Sequence, residues 1–127
     1  MPNPVQEFLA RLAAGDLPAA LDLVAPDAVF APEGPADLPI YGHFAGREGA
    51  ARLFRTLGDL FDTESFEIFT WAETGDTVFA HGAMRHRVRQ SGATVESGFA
   101  LVVTLAAGKI AHWRIFENTA AFQAALG

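Results

Sequence analysis

The sequence contains no cysteine, which excludes disulfides and thiolate metal sites. It is also short of positive charge. Nine Lys and Arg stand against fifteen Asp and Glu, a formal net charge of -6. Nucleic acid is therefore not an expected partner, because binding phosphates needs a basic face. No apolar run approaches the ~20 residues of a membrane span, so no membrane partner is expected. The opening residues, Met1-Pro2-Asn3-Pro4, carry neither the basic nor the apolar region of a secretion signal, and a cytoplasmic location is the expectation. Internal repeats and low-complexity linkers are absent, so residues 1–127 read as one domain. The four histidines are scattered without metal-ligand spacing, and neither a metal nor a cofactor is expected.

What is present is apolar. Half the residues are hydrophobic and eleven are Phe, which suits a fold that lines a cavity as well as filling a core. A chain of this size buries roughly two-thirds of the surface its unfolded form exposes, enough for one core. Asn3 caps a first helix in which Val5, Phe8, Leu9 and Leu12 share a face. Gly15 stops it, and Asp16 caps a second helix that buries Ala20, Leu21 and Val24 and ends before Pro26. A short strand, Ala28 to Ala31, follows. Residues 32–46 read as loop, and a third helix runs from Arg47 to Phe61 with Ala50, Leu53, Phe54, Leu57 and Phe61 on one side.

The remainder reads as four strands, Ser65–Ala72, Thr77–Arg89, Thr94–Leu105 and Lys109–Glu117, joined by short glycine-containing hairpins. A last helical turn or two occupies Thr119 to Leu126. Helices first and strands after predict an α+β fold: a curved antiparallel sheet packed on three helices and enclosing an apolar pocket.

Strand phasing assigns the pocket wall. Val95, Ser97, Phe99, Leu101, Val103 and Leu105 alternate with smaller or polar residues, so this bulky face turns toward the helices. A two-residue turn at Ser91-Gly92 pairs Arg89 with Thr94 and sets Arg87 opposite Glu96 on the outer face. A three-residue turn at 106–108 pairs Leu105 with Lys109. Three inward rows follow: Gly82, Leu101 and Trp113; Met84, Phe99 and Ile115; His86, Ser97 and Glu117. The third row is polar within apolar walls.

His86, with an ordinary pKa near neutrality, is one candidate acid or base; it reads equally as a strand histidine satisfied by a neighbour. Glu117 is the only carboxylate this register sends inward, where burial would raise its pKa. It also reads as an edge-strand Glu that reaches solvent, or as one that caps the closing helix. A Ser97 nucleophile is not expected, because strands about 4.8 Å apart keep His86 and Glu117 from meeting and Ser97 lies on no sharp turn. Phe30, Met84, Phe99, Leu101, Trp113 and Ile115 are the candidate ligand wall, or equally plain core, with Ser97 beside them. Tyr41 and His43 sit in the loop at the pocket mouth, where Tyr41 is placed to orient a ligand. The facing of Trp71 is open. His81, Arg85, Arg87, His112 and Arg114 point outward among Ala100, Val102 and Phe116.

Gly15-Asp16, Asp27-Ala28-Val29-Phe30, the run Tyr41 to Glu48, the run Gly108 to Arg114, and Asn118 to Phe122 resemble, in order and spacing, the nuclear transport factor 2-like superfamily. The resemblance is to its SnoaL-like and ketosteroid-isomerase-like branch and covers nearly the whole chain. It implies the cone-shaped fold and a small-molecule pocket. It also implies, together with the mixed outer face, a homodimer through that face. Two of the superfamily's catalytic sets do not carry over. Phe8, Pro32 and Leu101 (or Ala100) stand where the steroid isomerases place a Tyr and two Asp. Gly82, Met84 and Ile115, with Phe30 and Pro32, stand where the limonene epoxide hydrolases place Asp-Arg-Asp and its helpers. A polyketide-cyclase-like use of a pocket carboxylate or His is compatible with the residues present. Three functions therefore stay open: an acid–base enzyme on an apolar or polyketide-like molecule, a binding protein for a small hydrophobic ligand, and a dimeric interaction module.

Overall fold

The computed structural model describes residues 2–127. Helix α1 (Pro4–Ala13) begins at Asn3, whose side chain and that of Gln6 cap each other's backbone N–H groups. Helix α2 (Leu17–Leu21) is capped by Asp16. Strand β1 (Val24–Phe30) leads to a loop, the two-residue strand β2 (Phe44–Ala45) and helix α3 (Gly46–Leu60). Four long strands follow, β3 (Phe61–Thr74), β4 (Thr77–Val88), β5 (Thr94–Ala106) and β6 (Lys109–Glu117), and helix α4 (Thr119–Leu126) ends the chain. The α+β class and the curved sheet laid on helices agree with the sequence.

Three boundaries differ from expectation. The second helix stops at Leu21, and Val24 already belongs to β1. Pro26 is tolerated there because the pairing of β1 with β6 shifts register between Val24 and Val29, so no ladder N–H is needed from it. The β2 strand lies within the expected loop. Strand β3 starts at Phe61, directly at the end of α3.

The sheet order is β2-β1-β6-β5-β4-β3. Strands β3 to β6 form an antiparallel meander, while β1 runs parallel to β6, so the sheet is mixed. Four rings from four elements meet at its centre. Phe8 of α1, Phe30 of β1, Phe54 of α3 and Trp113 of β6 lie within 5.3–6.1 Å of one another, with Phe30 stacked on Trp113 at 17°. Each such pair stabilises by about 0.5–1.5 kcal/mol beyond its area burial. This cluster fixes how the helices sit on the sheet.

Register is the main correction. The β4–β5 loop is five residues, Arg89 to Ala93, closed by Val88 N–H to Ala93 O at 2.7 Å and Gly92 N–H to Val88 O at 2.8 Å. His86 therefore faces Val95, and Met84 faces Ser97. Glu96 pairs with Arg85, and Arg87 bonds Asp62 instead. The β5–β6 turn is two residues, Ala107-Gly108, both at positive φ (51° and 76°). A bulge between Thr104 and Leu105 then adds one position, so Phe99 faces Glu117 and Leu101 faces Ile115. Both hairpins slip by two residues. A slip of two preserves which face each side chain takes.

Candidate functional site

The observed inward rows are Val78, Val103 and Trp113; Ala80, Leu101 and Ile115; Gly82, Phe99 and Glu117. The row His86, Ser97, Glu117 does not form. Relative to Glu117, His86 lies two strands across and four residues along, about 10 Å by about 13 Å of backbone. The two candidate acid–base groups are separate stations on one wall.

That wall bounds a cavity of about 470 Å³ between the sheet and helices α1, α3 and α4. Leu12, Leu53, Phe54 and Leu57 close the helical side, and Met84, Trp113 and Ile115 form part of the sheet side. Phe122 of α4 packs on Phe61 and His86 at one end. Of the expected ligand wall, Tyr41, Met84, Trp113 and Ile115 line this space with His86 and Glu117. Four do not. Phe30 is at the base of the ring cluster, and Leu101 is fully enclosed in the core. Phe99 stacks on Phe66 at 4.7 Å, and Phe66 is the ring of the pair that reaches the cavity. Ser97 Oγ donates to Gly98 O at 2.6 Å and accepts from Asn118 N–H at 2.8 Å, tying β5 to the junction of β6 and α4. Trp71 pairs with Ala80 and packs on the core from the inner face.

Among the described residues Glu117 is the only carboxylate on the cavity surface. Tyr41 reaches it from the 31–43 loop, and its Oη–H donates to Glu117 Oε2 at 3.2 Å. The loop is held in place for this. Ala31 N–H bonds Trp113 O at 2.7 Å, Gly42 N–H bonds Pro32 O at 3.1 Å, and Arg114 pairs with Glu33 at 3.0 Å. The Tyr41 ring lies flat against Gly34, where a Cβ would stand 2.6 Å from it, so only glycine fits. Burial pushes the Glu117 carboxyl from its ordinary 4.5 up to about 7, against the opposing pull of the Tyr41 hydrogen bond. Burial and the neighbouring carboxylate likewise raise the Tyr41 phenol, which stays protonated as a donor.

His86 sits at the other station. Its Nδ1 is 3.0 Å from Thr63 Oγ1, and its Nε2 is 3.2 Å from Met84 Sδ. Burial lowers its pKa, so the ring is neutral near pH 7. Thr63, Phe54 and Phe122 were missed as neighbours of the site. Phe54 could have been found from its place on the inner face of α3. Thr63 could not, because β3 was expected to start after it.

Among the described residues no group of His, Asp or Glu could hold a metal ion. Among them, too, no helix is long and apolar enough to cross a membrane.

The sequence pattern that defines the SnoaL-like domain matches residues 5–113. No curated protein matches the chain. Among solved structures, a nuclear transport factor 2-like protein from Burkholderia thailandensis E264 is 27% identical, with a TM-score of 0.87 over 100% of this chain and 99% of that one. A protein of ketosteroid-isomerase-like fold from Catenulispora acidiphila, in complex with trimethylamine, is 14% identical, with a TM-score of 0.82 over 98% and 92%. A candidate SnoaL-like polyketide cyclase from Mesorhizobium loti is 18% identical, with a TM-score of 0.70 over 89% and 95%. The fold is thus the cone-shaped one of the nuclear transport factor 2-like proteins.

Proposed function

Given that this chain belongs to the SnoaL-like family, we propose that it is an acid–base enzyme acting on a small apolar or polyketide-like molecule, with Glu117 as the group that moves the proton. One observation carries the reading: the cavity's single carboxyl lies in apolar surroundings, hydrogen-bonded to Tyr41 and titrating near neutrality. A carboxyl with a pKa of about 7 is part acid and part base at neutral pH, the condition under which one group both accepts and returns a proton. Tyr41 occupies Oε2, which leaves Oε1 to take a proton from a carbon beside a substrate carbonyl. Returning that proton to another carbon isomerises the substrate; delivering it to a hydroxyl leaving group dehydrates it. His86, neutral and about 13 Å along the sheet from Glu117's level, contacts the far end of the ligand and takes no part in this transfer.

Small apolar ketones, α-tetralone first, incubated in D2O and followed by NMR, test the reading. Exchange of the hydrogens beside the carbonyl should be accelerated by the protein. Glu117→Gln should abolish the acceleration, and Tyr41→Phe should reduce it about tenfold or more. Once a turned-over substrate is known, full turnover by Glu117→Gln removes the assignment.

A second reading, binding without chemistry, draws support from the separation of His86 and Glu117, which leaves Glu117 no neighbouring acid–base partner. The trimethylamine held by the Catenulispora relative fits it as well. The setting in either case is cytoplasmic and homodimeric. Phe79, Ala100, Val102 and Phe116 lie together on the outer sheet face, with Phe79 and Phe116 39% and 37% exposed, and a second copy of that face would cover them.

A further inference from the structure

A second concavity, on the far side of α3 from the cavity, gathers positive charge. It is lined by His43, Arg47, Arg52 and Arg55, with Glu48 as its one carboxylate. Arg52 and Phe54 differ by two residues, about 200° around the helix, so one faces this groove while the other faces the cavity.

The arginines here behave unlike the rest. Of the eight in the sequence, Arg11, Arg85, Arg87, Arg89 and Arg114 each pair with a carboxylate. Among the described residues the three that do not are Arg47, Arg52 and Arg55. Partners were within reach. Glu48 precedes Arg52 by four residues and Asp59 follows Arg55 by four, the spacing at which helical ion pairs form, and neither pair is made.

Two of the guanidiniums are instead fixed by groups that leave their charge free. Arg47 Nε donates to Val24 O at 2.9 Å, and Arg52 lies over the Phe44 ring at 4.9 Å. Three unneutralised, partly preorganised guanidiniums in one groove of a chain with net charge -6 form a local reversal of sign. Guanidinium forks match the oxygens of a phosphoryl group in bidentate fashion.

We propose that the groove bounded by Arg47, Arg52, Arg55 and His43 binds the phosphoryl group of a small soluble ligand. The site is independent of the cavity and of any reaction there. It differs from a nucleic-acid surface in extent, being one groove on an otherwise acidic protein.

Pyrophosphate is the probe, titrated into the full chain at low ionic strength, with sodium chloride matched for ionic strength as control and backbone amide NMR shifts as readout. Saturable shifts confined to the neighbourhood of residues 43–55 are expected. The double variant Arg52→Gln/Arg55→Gln should weaken binding about tenfold or more, and Glu48→Gln should tighten it. Arg87→Gln, whose guanidinium already pairs with Asp62, should leave it unchanged. Shifts that do not saturate, that sodium chloride reproduces, or that survive in the double variant would overturn the proposal. So would binding to phosphatidylglycerol vesicles without saturable binding of pyrophosphate.

Discussion

At the residue scale, the proposed role of Glu117 stands against stability. Its folded pKa of about 7 stands above the ordinary 4.5, so between those pH values the native state holds a proton that the unfolded state has released. Stability therefore falls as pH rises through that window, by about 3 kcal/mol at most, and is level above it. His86 acts in the opposite sense, since its lowered pKa makes the native state resist protonation as pH falls through the unfolded value. A difference measurement isolates the carboxyl. Urea denaturation of the protein and of Glu117→Gln should show the variant gaining relative stability from pH 4 to pH 8, by up to about 3 kcal/mol. A constant difference across that range would mean that the carboxyl is as well solvated folded as unfolded.

At the scale of elements, Gly82 of β4 is crowded by both neighbouring strands, β3 and β5. A Cβ there would stand 2.0 Å from the Glu67 carbonyl oxygen of β3 and 2.8 Å from the Phe99 ring of β5. The first contact is with backbone, which cannot swing aside. Gly82→Ala should lower stability by about 2–3 kcal/mol, read as a reduced denaturation midpoint. Gly98→Ala is the comparison, because a Cβ there meets its nearest atom at an ordinary 3.7 Å.

The same strands show what was legible in the sequence. Alternation in 94–105 announced which face is apolar, and the structure agrees because burial punishes every residue of a slipped strand at once. The rows were not legible. Five loop residues where two were read, and a bulge after a two-residue turn, each moved the pairing by two, and nothing in side-chain polarity resists a shift of two. His86 thus lost Ser97 and Glu117 as neighbours, while Glu117 kept its inward aim. The Tyr41–Glu117 contact spans 76 positions of sequence and depends on how a proline-rich loop folds back, so local pattern held only Tyr41's place near the mouth.

At the scale of the whole molecule, the proposed homodimer rests on the outer sheet face. Phe79, Val102, Ala100 and Phe116 are flanked by Arg85, bridged to Glu64 and Glu96, and by Arg114 over Phe116 at 4.9 Å. An apolar centre with a charged rim is the anatomy of an interface between proteins. Light scattering after gel filtration should find twice the chain mass. Phe79→Glu/Phe116→Glu should return the monomer, with far-ultraviolet circular dichroism unchanged. A wild-type monomer at about 100 μM would end the homodimer proposal.

The sheet has one further border, where β3 stands last in the strand order with a side that pairs with no other strand among the described residues. Fourteen residues long and carrying Phe66 and Phe69 at 40% and 59% exposure, it offers a template on which a second chain's backbone could continue the ladder. Two register breaks interrupt its straightness, and Glu64, Glu67 and Glu73 stand exposed along it. Growth of the sheet into a filament is thus opposed by a crooked rim and a few repelling carboxylates placed where they act.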